Sequence, residues 1–154
     1  MADAPFHILV SDHLGPSGWD ILRANEDVTT AGPFTDRKEV LAEVSQAHAL
    51  VLRSQTQADA ELIAHAQQLR VIARAGAQLE NVNIDAATQR GIMVINVPDA
   101  NVIAVAEHTM ALLLALARQI PRGHASLRAG RWERHEILGF QLRGKTIGVI
   151  GYGR

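Results

Sequence analysis

Glycines near the end of this 154-residue sequence have the spacing of a phosphate-binding turn. The β-branched run from Thr146 to Ile150 leads directly into Gly151-Tyr152-Gly153. A strand followed by Gly-x-Gly opens the dinucleotide fingerprint, in which the first glycine makes a tight turn and the second lets a pyrophosphate approach the backbone. The third glycine would fall at position 156, beyond the last residue. An ordinary glycine turn after a strand explains the same residues equally well on local evidence.

Polar residues that could bind a ligand also follow apolar runs in the first hundred residues. Ser11, Arg53, Arg74 and Asn96 each stand where such a run ends. If the runs are parallel strands, their carboxyl ends share one edge of the sheet. Ligands bind to α/β sheets at that edge, so the sequence predicts a binding site there.

Short apolar runs alternate with helical segments over residues 1–100, and these elements would position the polar residues. Strands are predicted at residues 6–10, 27–30, 49–52, 69–73 and 92–97, and helices at 19–25, at 59–68, at 84–89 and after a cap at Thr35 or Asp36. This alternation implies a parallel sheet covered on both faces, with right-handed crossovers. We therefore expect residues 1–100 to form a flavodoxin-like α/β domain.

The sequence changes character after residue 100. Residues 102–117 predict a helix that is apolar nearly all round, and such a helix needs burial against two surfaces, as between two domains or two subunits. Pro121, Gly123 and Gly130 predict that the rest of residues 101–143 forms an irregular arm. We expect residues 144–154 to be the start of a Rossmann domain, with its first strand at 145–150.

Composition argues against several classes of function. Lys and Arg number 15 against 16 Asp and Glu, so the formal net charge of −1 gives no sign of a nucleic-acid or anionic membrane partner. The most apolar stretch is shorter than the ~20 residues that cross a bilayer, and it contains Glu107 and His108. Cysteine is absent, and no pair of the seven histidines has the His-x-x-x-His spacing of a metal-binding helix. No signal peptide is visible, so we expect a cytoplasmic protein without a metal site.

Six short motifs occur in order along the chain. They are Arg53-Ser54, Ala73–Gly76 with Leu79–Asn83, Asn96–Pro98 with Asn101, Val105–Thr109, Gly130–Arg134 and Leu142–Gly148. In order and spacing they resemble the D-isomer-specific 2-hydroxyacid dehydrogenases, over essentially the whole chain. The resemblance implies an NAD-dependent oxidoreductase that acts on the CH–OH group of a D-2-hydroxy acid of the 3-phosphoglycerate or hydroxypyruvate kind. The chain would be the N-terminal part of such an enzyme.

The resemblance also implies roles for individual residues. The carboxylate of the 2-hydroxy or 2-keto acid would be bound by two strand-exit loops and an asparagine of the interdomain cleft, namely Arg53, Ser54, Ala75, Gly76 and Asn101. The nicotinamide cofactor would be contacted by Ala77 and Val105, and its pyrophosphate by Gly151, Gly153 and Arg154. No catalytic residue can be matched, because the family's hydride-transferring arginine, glutamate and histidine lie beyond this sequence. We therefore expect the isolated chain to be inactive.

One position in the substrate loop departs from the family's pattern. The family usually has a second glycine where this chain has Gln78. If that position requires a positive φ, glutamine costs roughly 1 kcal/mol and moves the loop.

Two other functions fit the same α/β pattern. One is a stand-alone flavodoxin-like binding or dimerisation module without catalysis. The other is a phospho-receiver domain, which needs an acidic cluster after the first strand and an aspartate at the end of the third. Asp12 partly meets the first requirement, but no aspartate follows Leu52. In the dehydrogenase and module interpretations alike we expect a homodimer formed through helix 102–117 and arm 121–143.

Overall fold

The computed structural model describes residues 5–34, 36–151 and 153. The chain divides into two compact units, Met1–Ala100 and Asn101–Arg154. The first unit contains a sheet and four helices, and the second contains two helices and an extended segment.

A five-stranded parallel sheet forms the centre of the first unit. Its strand order is β2-β1-β3-β4-β5, which is the flavodoxin-like order, so the predicted fold is confirmed. The strands are β1 Phe6–Val10, β2 Val28–Ala31, β3 Ala49–Leu52, β4 Val71–Arg74 and β5 Met93–Asn96. Each lies within about two residues of its predicted position.

Four helices connect the strands, and three of them begin at a side-chain cap. The helices are α1 Pro16–Arg23, α2 Arg37–Val44, α3 Ala60–His65 and α4 Ile84–Gln89. Asp36, Asp59 and Asn83 accept a main-chain N–H from the first turn of α2, α3 and α4. Such caps satisfy donors that a helix leaves without an internal partner. Asp36 is thus one of the two caps predicted for α2, and Thr35 lies outside the described residues.

The core of the first unit lies between the sheet and α2, α3 and α4. Leu9, Leu50, Leu52 and Ile72 project from the strands and are fully buried. They pack with Val40, Val44, Leu62, Ile63 and Ala87 of the helices. The opposite face of the sheet is not covered at β5, where Met93 and Ile95 are 62% and 47% exposed, so the prediction of a sheet covered on both faces was wrong there.

An ion-pair cluster connects α2 to the start of α3. The Arg37 guanidinium lies 2.7 Å from carboxylate oxygens of both Asp59 and Glu61. Partial burial alone would raise the pKa of Asp59, but hydrogen bonds from Leu62 N–H and Arg37 outweigh it and hold that pKa below its ordinary value. The ionised form of Asp59 therefore stabilises the fold.

The second unit begins with α5 Val102–Ala117 and continues with α6 Ile120–Arg128. The prediction of an irregular arm from residue 121 was wrong over α6. Pro121 lies in the first helical turn, where proline is tolerated because its missing N–H would have no acceptor there. Gln119 separates the two helices with a left-handed φ of 54°. Among the described helices none alone is long and apolar enough to cross a membrane, and α5 and α6 reach that length only together, across a 65° bend.

The segment after α6 contains neither helix nor strand over residues 129–151. The strand predicted at 145–150 is therefore not formed, although its β-branched residues favour one. A strand needs a neighbour to accept its main-chain hydrogen bonds, and Ile147, Val149 and Ile150 are instead exposed. The extended segment is held near residue 140, where Phe140 N–H donates to the carbonyl of Ala117 at 2.8 Å.

We expect the stability of the first unit to depend on the charge of Asp59. The folded pKa is lowered, so the stabilisation is fully present above the unfolded carboxyl pKa of about 3.9 and is lost as the pH falls through the folded value. Asp59→Asn keeps a capping oxygen but removes the charge. In urea unfolding followed by circular dichroism, the variant should be less stable by about 0.5 kcal/mol near pH 6 and should lose this deficit in acid.

The same comparison in an Arg37→Gln background provides the control, because the guanidinium partner is then missing. The pH-dependent part of the difference should shrink there. A difference between wild type and Asp59→Asn that is constant with pH would contradict the assignment.

Candidate functional site at the carboxyl edge of the sheet

Three strand-exit loops meet at the carboxyl edge of the sheet. Leu52 is in register with Arg74, and Arg74 with Asn96, so the loops that follow β3, β4 and β5 are neighbours. Ala75 N–H donates to the carbonyl of Leu52 at 2.8 Å, which joins the first two loops. The predicted residues Arg53, Ser54, Ala75, Gly76 and Ala77 thus lie in two adjacent loops.

The turn at residues 53–56 is held from one side by the carboxylate of Asp12, which directly follows β1 and is only 5% exposed. One oxygen accepts the main-chain N–H groups of Arg53 at 2.6 Å and Gln55 at 3.2 Å. The other accepts the N–H of Thr56 at 3.1 Å and its hydroxyl at 2.5 Å. Because both oxygens are used by this turn, the carboxylate is not free to serve in the acidic cluster that a receiver domain needs after its first strand, which argues against that interpretation.

The same turn is held from the other side by Asn81, which is also 5% exposed. Its Nδ2 donates to the main-chain carbonyls of Arg53 at 2.7 Å and Thr56 at 2.6 Å. Its Oδ1 accepts from Nε of Arg74 at 3.3 Å. Asn81 therefore connects the turn after β3 to the last residue of β4.

Arg74 carries a buried guanidinium next to the loop after β4. Its Nη2 donates to Glu80 at 3.0 Å, and its side chain is 10% exposed. The backbone of Gly76 approaches this guanidinium closely, since a Cβ placed at Gly76 would lie 2.2 Å from Nη1 of Arg74. A side chain at this position would therefore have to displace the Arg74 guanidinium, whereas backbone conformation does not demand glycine, because φ of Gly76 lies outside the left-handed region.

The loop at residues 75–78 is fixed by main-chain hydrogen bonds and by Asn96. Gly76 N–H donates to the carbonyl of Arg74 at 2.8 Å, and the carbonyl of Gly76 accepts from Val97 at 3.0 Å. Nδ2 of Asn96 donates to the carbonyl of Ala77 at 2.7 Å. Among the described residues Gln119 is the non-glycine residue with positive φ, so the strain considered for Gln78 does not arise.

The hydrogen bonds show which donors of the two loops could bind an anion. The N–H groups of Arg53, Ala75 and Gly76 are taken by Asp12, Leu52 and Arg74. Within the described part of the chain, the N–H groups of Ser54, Ala77 and Gln78 have no acceptor, and the exposed guanidinium of Arg53 has no carboxylate partner. A guanidinium with nearby N–H donors suits a carboxylate or phosphate.

The other predicted site residues belong to the second unit. Asn101 is the exposed N-cap of α5 without a side-chain capping bond, and Val105 is exposed in the next turn. Gly151 has a left-handed φ of +90°, and open space surrounds both Gly151 and Gly153. Arg154 lies outside the described residues.

Three residues at this edge were not predicted as site residues from the sequence. Asp12 was considered only for the acidic cluster of a receiver domain and Asn81 only as part of a motif, whereas Arg74 was predicted to lie at this edge but was given no role in binding. The signal that could have found them is a polar residue within or directly after a buried run, because such a residue needs partners when the edge folds.

A cavity of about 440 Å³ lies on the α2 side of the 53–56 turn. Its lining includes Asp12, Phe34, Arg37, Gln55, Thr56, Gln57 and Leu62, and none of the predicted site residues. No group of three His, Asp or Glu side chains in the described ranges is placed to hold a metal ion.

Comparison with known proteins identifies relatives over nearly the whole chain. The sequence profile described as "D-isomer specific 2-hydroxyacid dehydrogenase, catalytic domain" matches residues 8–149. The chain is 46% identical over 147 residues to D-3-phosphoglycerate dehydrogenase of Archaeoglobus fulgidus and 39% identical to that of Homo sapiens. In both cases the aligned region covers 96% of this chain but only 28% of the relative's length.

Solved structures share the fold. The TT0316 protein of Thermus thermophilus matches with a TM-score of 0.81 at 33% identity, over 89% of this chain and 46% of that one. The NAD+-bound 3-phosphoglycerate dehydrogenase of Entamoeba histolytica matches with a TM-score of 0.64 at 25% identity, over 75% of this chain and 40% of that one.

Gly76→Ala should destabilise the first unit through Arg74. The added methyl group displaces the guanidinium from Glu80 and Asn81, and buried hydrogen bonds to a charged group are worth about 1–3 kcal/mol. We expect a loss of that size in urea unfolding, together with a shift of the Arg74 Nε–H resonance. Gly148→Ala is the control, since its methyl group meets no atom within 4 Å. Equal stability of the Gly76 variant and wild type would show that Arg74 relaxes freely.

Proposed function

Because the chain belongs to the D-isomer-specific 2-hydroxyacid dehydrogenases, we propose that it is the substrate-binding part of an NAD-dependent oxidoreductase acting on a D-2-hydroxy acid. The proposal is supported by the free donors at the carboxyl edge of the sheet. The Arg53 guanidinium and the N–H groups of Ser54, Ala77 and Gln78 lie in two adjacent loops and have no partner in the described part of the chain. This arrangement is the observation that carries the proposal.

The acid would bind with its carboxylate on these donors. The resemblance of the sequence motifs implied Arg53, Ser54, Ala75 and Gly76 as carboxylate ligands, but the N–H groups of Ala75 and Gly76 already donate to Leu52 and Arg74. We therefore assign the main-chain contacts to Ser54, Ala77 and Gln78, and leave Ala75 and Gly76 to shape the loop. Asn101 of the second unit would complete the substrate site in the dehydrogenase.

We propose an acid of the 3-phosphoglycerate kind, with a hydroxypyruvate-like acid as the alternative. The relatives at 39–47% identity named D-3-phosphoglycerate dehydrogenase support the first choice. The chain spans 28% of the length of those relatives, so the substrate of the whole protein remains part of this proposal. We also propose that the protein is located in the cytoplasm.

NAD is the proposed cofactor. The left-handed Gly151 and the open space at Gly153 fit a backbone that a pyrophosphate approaches closely, and Arg154 would follow them. Ala77 and Val105 would line the nicotinamide, which supplies or accepts the hydride when it is bound. Residues of this chain would hold the acid and orient its C2 atom.

This assignment gives each part of the chain a role. Residues 1–100 would bind substrate, residues 101–143 would form the interdomain helix and dimerisation arm, and residues 144–154 would begin the NAD-binding domain. No residue here is assigned to hydride transfer, so we expect no oxidation of NADH with 2-keto acids by the isolated chain. Should the chain act alone, it would be a binding and dimerisation module without catalysis.

The exposed surface of α5 supports the proposed homodimer. Ala117 is its only buried residue, whereas Ile103, Leu112 and Leu116 are 71%, 58% and 72% exposed. Monomers rarely expose an apolar surface of this kind.

Binding of the acid should depend on Arg53. In a titration of the chain with 3-phosphoglycerate followed by amide NMR, the signals of Ser54, Ala77 and Gln78 should shift. Arg53→Gln should weaken binding about 10- to 100-fold, because a charge-assisted contact is lost. Arg23→Gln is the control, since Arg23 is an exposed arginine that stacks on Trp19. Wild-type affinity in Arg53→Gln would overturn the proposed function.

Self-association should depend on the apolar surface of α5. Sedimentation velocity should give about twice the 16.7 kDa chain mass for wild type, and Leu116→Glu should shift the protein toward monomer. Ile21→Glu is the matched control, because Ile21 is 75% exposed on α1. A wild-type monomer, or equal effects of both variants, would contradict a dimer formed through α5.

A further inference from the structure

The 53–56 turn is unusual in that buried side chains from two other segments hold its backbone. Asp12 accepts the N–H groups of Arg53, Gln55 and Thr56, and Asn81 donates to the carbonyls of Arg53 and Thr56. Loops at the surface usually satisfy such groups with water. Here buried side chains bind both N–H groups and carbonyl groups of the turn.

Neither anchor touches the groups that would meet a ligand. Asp12 and Asn81 contact the backbone of Arg53, while its guanidinium stays exposed and without a carboxylate partner among the described residues. The main-chain N–H of Ser54, between the anchored residues, likewise has no acceptor in the described part of the chain. The anchors therefore determine where these donors lie without competing for them.

Asn81 also connects this turn with the second loop of the site. Its Oδ1 accepts from Arg74, whose guanidinium packs on Gly76. One buried amide group thus relates the position of the 53–56 turn to that of the 75–78 loop. A binding site made from two loops needs this relation to be fixed before the ligand arrives.

We propose that Asp12 and Asn81 are positioning residues for acid binding. They hold the backbone of Arg53 and Ser54 in place next to the loop of Ala77 and Gln78, so that the main-chain part of the anion site is formed in the free protein. This inference rests on the proposed function, because it takes the anion to be the carboxylate of a 2-hydroxy acid. It adds two residues that contact no part of the acid.

Asn81→Asp tests the role of the amide group. The substitution keeps the shape of the side chain and an acceptor for Arg74, but it replaces the Nδ2 donor by an oxygen that repels the carbonyls of Arg53 and Thr56. Thr56→Val is a milder second variant, since it removes only the hydroxyl bond to Asp12. Asn83→Ala is the matched control, because it removes the α4 cap two residues away without touching the turn.

Two measurements on the 154-residue chain are needed. Hydrogen exchange of the Arg53, Gln55 and Thr56 amides reports the anchoring of the turn, and titration with 3-phosphoglycerate reports binding. Asn81→Asp should speed exchange of these amides and weaken binding about tenfold, Thr56→Val should do both to a smaller extent, and Asn83→Ala should lower the thermal midpoint while changing neither. Unchanged exchange in Asn81→Asp would overturn the inference.

The titration with 3-phosphoglycerate distinguishes the remaining outcomes. Faster exchange with wild-type affinity would show that the anchors do not position the ligand-binding groups, as would an equal loss of affinity in Asn81→Asp and Asn83→Ala. If wild type itself does not bind the acid, the proposed function fails and the assignment of an acid site falls with it. In that case the exchange data alone decide whether the two residues anchor the turn.

Discussion

The carboxyl edge of the sheet depends on the buried carboxylate of Asp12. A buried carboxylate is costly unless donors surround it, and here three main-chain N–H groups and one hydroxyl do so. These donors all come from one turn, so satisfying the carboxylate also determines the path of the chain after β3. The loop after β4 is connected to this turn through Asn81 and to the end of β3 through Ala75.

Much of the first unit could be predicted from the sequence because local and global preferences agree. The runs at 6–10 and 49–52 form strands with the predicted bounds, and the alternation of strands and helices forms the expected parallel sheet. The neighbouring loops of the candidate site follow from the same topology. The partners of Asp12 and Asn81 in the 53–56 turn could not be predicted, because hydrogen bonds between residues 25 to 44 positions apart depend on the register of separate strands.

The second unit shows where sequence patterns are insufficient. Pro121 reads as a helix breaker from its type alone, but its position in the first turn of α6 makes it compatible with the helix. The run at 145–150 has the composition of a strand and no neighbour to pair with among the described residues. Composition describes what a segment can form, whereas its partners decide whether it does. For the same reason an apolar α5 forms a helix and yet remains exposed.

In the two loops, the residues that hold the backbone differ from the residues that would face a ligand, and this affects which substitutions can alter binding. Residues that hold the backbone, such as Asp12 and Asn81, are buried, while Arg53 and Gln78 at the rim project from a frame that does not depend on their side chains. Ala77 and Gln78 offer main-chain donors, which persist whatever side chain is present. Under the proposed function, a new side chain at position 78 can therefore alter the choice of acid while its main-chain contact to the carboxylate stays the same. Binding of the shared carboxylate and selection among different acids can thus change through separate substitutions.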